Sequence, residues 1–306
     1  MGKIAFVFPG QGSQKVGMGK DLYDRYPEVK EIYDQANQIL GINIRDLSFE
    51  GSELELQKSK NAQPAIVLNS IAYYKLMSKK TKPQEVSPQV VAGHSLGEYS
   101  ALFAAEAISF DDLLHLVRFR GELMSMAGET HTGTMAAVIG MEVSKIEEVV
   151  KEVSKGGTIT IANYNSPSQT VISGDLESVK KASELLKAGG AKRVIPLQVS
   201  GAFHSPLMEE AFSKFELVLL KTEIKKPIIP VVPNVTGKLT TSPVEIKSAL
   251  KHQILSPVRW VDSVRSMIEF GVTKFIELGP GRVLSGLISQ INPEVQTIKP
   301  DFQCKI

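Results

Sequence analysis

Cysteine is nearly absent from this chain. Its 306 residues include one, Cys304, so an internal disulfide is impossible and the composition fits a reducing, cytoplasmic setting. Cys304 lies in a polar tail and reads as an incidental thiol, not a nucleophile. An excess of either charge is also missing. The 35 Lys and Arg against 33 Asp and Glu leave a formal net charge of +2, which gives no basic footprint for nucleic acid. The longest apolar stretches fall well short of a membrane span. Met1-Gly2-Lys3-Ile4 runs directly into an apolar strand, which does not fit a secretory signal peptide. There is no internal repeat and no low-complexity tract. What remains is an ordinary globular composition, long enough to bury a large core as one domain or as a domain with an insert.

The pattern of apolar residues predicts alternating strands and helices. Ile4–Phe8 reads as a strand ending in the loop Pro9-Gly10-Gln11-Gly12-Ser13-Gln14. Helical patterns run from about Lys20 to Leu40. Pro64 predicts the start of a long helix through Met77, in the first-turn position proline prefers. Gln89–Ala92 reads as a buried strand and Glu98–Ala107 as an Ala-rich helix. Ser109-Phe110-Asp111-Asp112 resembles a capping box for a helix to about Met126. The character then changes. Strands are expected at Thr134–Ile139, Thr158–Ala162, Thr170–Ser173 and Arg193–Val199, with helices at Lys145–Val153 and Leu176–Ala188. That order, β-α-β-β-α-β, is ferredoxin-like. A small ferredoxin-like α+β subdomain is therefore expected over 129–199. Gly128 and Gly133 would form its entry hinge and Ser200-Gly201 its exit. Residues 1–128 and 200–306 would form a large α/β-hydrolase-like subdomain. Its second part should hold a helix at Pro206–Leu220, a strand at Ile228–Val232 interrupted by Pro230, a helix at Val261–Phe270 and a strand at Lys274–Leu278. The alternation implies a mostly parallel sheet covered on both faces.

Gly93-His94-Ser95-Leu96-Gly97 lies between the predicted strand and helix. Gly-x-Ser-x-Gly in that context is the pattern of a nucleophile elbow, although a plain glycine-rich turn shares its letters. Ser95 would occupy a strained turn at a helix N-terminus, where backbone N–H groups favour negative charge. A serine nucleophile needs a base, and the chain has five histidines. His94 reads as a packing residue behind the turn, His115 as half-buried or solvated, and His252 as exposed. His131 lies in a Gly/Thr-rich junction. His204, in Gly201-Ala202-Phe203-His204-Ser205-Pro206, sits where the chain re-enters from the insert, a place where clefts form. Residue patterns alone leave the choice between His204 and the others open.

The N–H of Leu96 is one oxyanion donor by elbow geometry, and Gly10-Gln11-Gly12 is placed to supply a second. That loop lacks the Lys-Ser/Thr ending of a P-loop and does not fit Gly-x-Gly-x-x-Gly. On the helix after the elbow, Arg118 and Arg120 are ordinary candidates for a solvated face. Arg120, however, is followed by Gly121 and an apolar stripe through Leu123 and Met124. Turned inward, it would need a planar anion, which a carboxylate substrate would supply.

Together these segments resemble the malonyl-CoA:acyl-carrier-protein transacylase family. The match includes the Phe8–Gln14 loop, Gly93–Tyr99, Arg120-Gly121, Ala162-Asn163-Tyr164-Asn165-Ser166-Pro167, Ala202–Pro206, Pro257-Val258-Arg259-Trp260 and Glu277-Leu278-Gly279-Pro280-Gly281. It covers essentially the whole chain. The resemblance implies that Ser95 accepts the acyl group and that His204 is its base. The N–H groups of Gln11 and Leu96 would form the oxyanion hole, and Arg120 would bind the malonyl carboxylate. Gln253 falls where the family uses a main-chain carbonyl to orient the histidine. Asn163 would line the cleft, and Phe203 would fill the space a methyl branch needs. The partners implied are malonyl-CoA and the phosphopantetheine thiol of acyl carrier protein, with no metal or redox cofactor, no nucleic acid and no membrane. Such carriers are acidic, so Lys187, Lys192 and Arg193 are candidate contacts, against the plainer reading of a solvated face. A monomer serving fatty-acid synthesis is expected. Alternatives are a serine esterase or thioesterase on the same elbow, a polyketide acyltransferase, and a non-catalytic scaffold that binds acyl carriers. If His204 is the base, activity should fall as it protonates, near its reference pKa of about 6.5.

Overall fold

The computed structural model describes residues 2–80, 86–130 and 133–302. Strand β1 (Lys3–Phe8) leads into the glycine loop, and helices α1 (Lys20–Arg25), α2 (Pro27–Leu40), α3 (Ile44–Glu50) and α4 (Glu53–Gln57) follow. The helical patterns expected from Lys20 to Leu40 form two helices. Tyr26 is extended, with φ −121° and ψ 113°, the conformation favoured before proline, and Pro27 starts the second helix. Helix α5 (Ser59–Lys80) begins upstream of Pro64, so Pro64 lies inside a helix instead of opening one. Its missing N–H deprives the Lys60 carbonyl of its helical donor. Arg118 Nη1 takes that place, donating to the Lys60 oxygen at 2.9 Å.

Next come β2 (Val90–Gly93), α6 (Gly97–Ala104) and α7 (Phe110–Thr130). Helix α6 stops at Ala104, short of the expected Ala107, and Glu106 turns to φ +57°. The expected cap of α7 is present: the Asp112 N–H donates to Ser109 Oγ at 3.1 Å. The chain then forms β3 (Gly133–Ile139), α8 (Val143–Val153), β4 (Ile159–Ser166), β5 (Gln169–Asp175), α9 (Leu176–Ala188) and β6 (Arg193–Pro196). Their order is the expected β-α-β-β-α-β, and they make an antiparallel sheet ordered β4-β5-β3-β6. Strand period sorts the side chains. Ala136, Val138 and Ile172 pack under α8 and α9, while Met135, Ala137 and Val171 turn to the larger core and the cleft.

This small unit is tied to the rest through its backbone in two segments. A Cβ on Gly128 would lie 1.6 Å from the Ser200 carbonyl oxygen, so glycine lets the entering and leaving chains touch. Further along, the Tyr164 N–H donates to the Val258 carbonyl at 2.9 Å and the Val258 N–H to that of Ala162 at 2.8 Å.

A 3₁₀ turn at Pro206–Met208 opens α10 (Glu209–Lys221). Then follow β7 (Val231–Val232), α11 (Pro243–Gln253), α12 (Trp260–Glu269), β8 (Val272–Glu277), α13 (Val283–Ile291) and β9 (Gln296–Ile298). The strand expected from Ile228 shrinks to Val231–Val232, because Pro230 has no N–H to donate. The large sheet is ordered β7-β2-β1-β8-β9, and its neighbours are all parallel. Both faces are covered. Phe6, Phe8 and Val91 pack with α5 and α7, while Ala5, Val7, Val90 and Ala92 pack with Trp260, Met267 and Leu284. That explains why β1 and β2 read as continuous apolar runs. Near the end of the described residues Phe302 is buried, and its carbonyl accepts Tyr26 Oη at 2.9 Å. His131 and Cys304 lie outside the described residues. No helix among the described residues is long and apolar enough to cross a membrane.

Arg118→Ala should lower stability by about 1–2 kcal/mol, the usual loss when a carbonyl is left without its donor. Pro64→Ala restores the helical N–H, so the loss should shrink in the double variant. Urea unfolding of the four proteins measures this, and a full Arg118 penalty in the Pro64→Ala background would contradict the assignment.

Candidate active site

The site forms where three backbones come unusually close. A Cβ on Gly93 would stand 1.9 Å from the Gly97 carbonyl carbon, and one on Gly97 2.0 Å from the Phe8 carbonyl oxygen. A Cβ on Gly10 would meet the His94 oxygen at 2.4 Å. Glycine at these places lets the β1 loop, the end of β2 and the start of α6 pack together. Ser95 sits at the apex with φ +49°, a left-handed conformation that costs of order 1–3 kcal/mol outside glycine. The strain is held from both sides. The Ser95 N–H donates to Asn234 Oδ1 at 2.6 Å, and the Ser95 carbonyl accepts Gln253 Nε2 at 3.1 Å.

His204 reaches Ser95 from the loop after the small unit, with Nε2 at 2.9 Å from Oγ. It too is left-handed, at φ +57°. Its Nδ1 lies 2.9 Å from the Gln253 carbonyl and 3.0 Å from that of Ser256. Both are acceptors, so Nδ1 carries the proton and the Nε2 lone pair faces the serine hydroxyl. That is the tautomer a general base needs. Burial, and next the Arg120 charge, push the imidazole down to about 3. It is therefore neutral in this site far below pH 6.5, which corrects the profile expected from an unshifted histidine.

Arg120 turns inward from α7 and is 1% exposed. Its Nη2 donates to Ser95 Oγ at 3.0 Å and to Gln253 Oε1 at 3.1 Å, and Nη1 donates to Gln63 Oε1 at 2.9 Å. Nε is buried without a hydrogen-bond partner. All three acceptors are neutral, so this is a desolvated cation with no carboxylate in direct contact. Tyr99 lies beneath it, with the guanidinium carbon 5.4 Å from the ring centroid.

The N–H groups of Leu96 and Gln11 have no hydrogen-bond partner among the described residues. The first follows Ser95 at the head of α6; the second lies in the β1 loop that borders the cleft. The Gln11 side chain turns aside, with Nε2 donating to Ser59 Oγ at 3.0 Å. The cleft, about 570 Å³, runs between the two sheets. Ser95, Arg120 and His204 line it beside Asn163 and Phe203. Asn163 and Phe203 are both buried.

All eight sequence-predicted positions thus lie in or beside one cleft. His94 does more than pack behind the turn: its Nε2 is 2.8 Å from Asn165 Oδ1. His115 and His252 are exposed, as expected, and so are Lys187, Lys192 and Arg193 on the small unit. Sequence reasoning missed Gln63, Asn234 and Glu98. Each is a polar residue within an apolar window, a weak signal, and Glu98 was masked because an acidic residue in a first helical turn is commonplace. Glu98 is buried, and its Oε2 accepts the Asn234 N–H at 2.9 Å and Gln253 Nε2 at 2.8 Å. Burial raises its carboxyl to about 7 against the opposing pull of those two bonds and of Arg120.

Residues 5–300 match the acyl transferase domain family. A malonyl CoA-acyl carrier protein transacylase of Bacillus subtilis (strain 168) is 47% identical over 299 residues, which is 97% of this chain and 93% of that one. An acyl carrier protein S-malonyltransferase from Vibrio cholerae O1 biovar eltor str. N16961 superposes with a TM-score of 0.93 at 40% identity, covering 98% of this chain and 97% of the other. A malonyl-transacylase in complex with its type II PKS acyl-carrier protein gives 0.93 at 40% identity, covering 97% and 96%.

Because His204 stays neutral, the rate of Ser95 acylation should stay level from about pH 8 to about pH 5 once Glu98→Gln removes the carboxyl that titrates within the site. Stopped-flow acylation across that range tests it. A fall centred near pH 6.5 would show that burial does not depress the histidine.

Proposed function

The chain belongs to the acyl transferase domain family, and on that premise we infer that it transfers malonyl from malonyl-CoA to the phosphopantetheine thiol of acyl carrier protein, through a malonyl-Ser95 ester. The observation that carries the reading is Arg120, a buried cation with no carboxylate of its own in contact, 3.0 Å from Ser95 Oγ. An acyl group on Ser95 that ends in a carboxylate supplies the missing anion.

Ser95 Oγ attacks the thioester carbon as its proton passes to His204 Nε2. The N–H groups of Gln11 and Leu96 receive the oxyanion, each contributing on the order of 3 kcal/mol in a dry site. The C–S bond then breaks, and the His204 proton goes to the departing CoA sulfur. The carrier thiol enters, gives its proton to His204 and attacks the serine ester, and the proton returns to Ser95 Oγ. The steps balance with the chain's own groups and the two thiols. Arg120 holds the far carboxylate in the malonyl-enzyme, where Oγ has become an ester oxygen and releases Nη2. Asn163 and Phe203 close the space beside the acyl chain.

The hydrolase and scaffold alternatives are not favoured. His204 is oriented by two carbonyls instead of a carboxylate, and the nucleophile, base and Arg120 are all intact. We read the protein as a cytoplasmic monomer that supplies fatty-acid elongation. The exposed Lys187, Lys192 and Arg193 are candidate contacts for the acidic carrier.

Intact-mass measurement with malonyl-CoA in the absence of an acceptor thiol should show one malonyl adduct, abolished by Ser95→Ala. Arg120→Ala should cut malonyl transfer by roughly 10²–10³-fold, since it removes the partner of a buried charge, and should narrow the preference over acetyl-CoA. Unchanged malonyl kinetics would overturn the assignment of Arg120.

A further inference from the structure

Glu98 takes no part in the steps above, yet it is the charged group most closely coupled to them. It stands in the first turn of α6 and is 3% exposed. The other buried carboxylate among the described residues, Glu277, is fully used at the head of α13, where it accepts the N–H groups of Leu284 and Ser285. Glu98 Oε2 accepts from Asn234 and Gln253, the two residues that hold the Ser95 backbone. Because the Gln253 NH₂ faces Glu98, its Oε1 must face Arg120. The carboxylate and the guanidinium are thus separated by one side-chain amide.

We propose that Glu98 is the counter-charge of Arg120 in the empty site, and that it takes up a proton when the malonyl carboxylate binds Arg120 directly. The idea rests on the assignment of Arg120 to that carboxylate.

Two carboxylates sharing one guanidinium would leave a net buried negative charge, which is costly away from water. Protonating one of them removes it. The substrate carboxylate touches Arg120 directly, whereas Glu98 acts through Gln253, so Glu98 is the cheaper one to neutralise. A proton on Oε1 leaves Oε2 free to keep accepting from Asn234 and Gln253, so the Ser95 backbone stays held. The other titratable groups of the site are Arg120 from α7 and Tyr99 on the helix of Glu98 itself, which act on Glu98 directly, and His94 and His204 from the elbow and the re-entry loop. Burial holds both histidines down and Tyr99 up, so all three are neutral near pH 7. Glu98 already lies at about 7 in the empty site, and a nearby anion raises it further. The proton comes from solvent with the malonyl group and returns when that group leaves on the carrier thiol.

The test uses the full-length Ser95→Ala protein, which binds acyl-CoA without reacting. Calorimetric titration at about pH 8, in buffers of different ionisation enthalpy, counts the protons taken up. Malonyl-CoA should take up more than roughly half a proton per site. Acetyl-CoA should take up almost none, and so should malonyl-CoA on Ser95→Ala/Glu98→Gln. Equal uptake with both acyl-CoAs, or uptake that survives Glu98→Gln, overturns the proposal. As a readout that leaves Glu98 in place, infrared difference spectra of glutamate-¹³C-labelled Ser95→Ala protein should gain a protonated-carboxyl band with malonyl-CoA. Absence of that band also overturns it. If malonyl-CoA binds no tighter than acetyl-CoA, the Arg120 assignment itself fails; tighter malonyl binding without proton uptake removes Glu98 alone.

Discussion

The cleft is organised around a guanidinium withdrawn from water and held only by neutral acceptors. Arg120 donates to a serine hydroxyl and two glutamine oxygens, and its Nε is left without a partner. An arrangement of this kind is costly for the empty protein, because a buried cation without a directly paired anion forfeits most of its hydration. On the proposed reading, the balance changes when an acyl group carrying its own carboxylate arrives. The same interaction would then tie selectivity to chemistry, since Nη2 contacts the Oγ proposed to be acylated.

The fold makes that geometry possible through the approach of backbones. In a parallel sheet the carboxyl ends of neighbouring strands open on one edge, and there β1 and β2 deliver the Gln11 loop and the Ser95 turn side by side. The glycines at 10, 93 and 97 leave no room for a Cβ. The strained Ser95 does not rest on the turn alone: its N–H and carbonyl are held by Asn234 and Gln253, from segments far along the chain. His204, also in a left-handed conformation, arrives from the exit of the small unit, whose β4 is joined by backbone hydrogen bonds to Val258, near the carbonyls of Gln253 and Ser256.

These physical facts also separate what was legible in the sequence from what was not. The elbow was readable because it is local: strand, turn and helix lie within a few residues, and glycine marks the contacts. The β-α-β-β-α-β order of the small unit was readable from period alone. Pro64 misled because its helix starts upstream and survives through a donor from a distant residue, Arg118, which no local pattern shows. The strand at Ile228 was overextended because β-branched residues near a proline resemble an edge strand whether or not they pair. At the site, the inward turn of Arg120 was suggested by its apolar neighbours, but the neutrality of its partners was not. Gln63, Glu98 and Asn234 come from three separate segments and carry no spacing rule. The depressed pKa of His204 follows from burial and from Arg120, which only the assembled cleft reveals.

That depression bears on why such a site passes its acyl group to a thiol rather than to water. A base near 3 is weak, and its value depends on what it must deprotonate. An alkyl thiol ionises near about 8.5, whereas water ionises near about 15.7. The same imidazole therefore assists a thiol across a gap smaller by roughly seven pK units. Serine, a poor acid too, differs from water in position: in the empty site its Oγ already lies 2.9 Å from His204 Nε2 and accepts Arg120 Nη2 at 3.0 Å. A malonyl carboxylate on Arg120 would offset part of the cationic field on His204, but burial, the larger cause of its low pKa, would remain. On the proposed reading the histidine thus assists an incoming thiol far more readily than water, and the ester would persist until the carrier arrives.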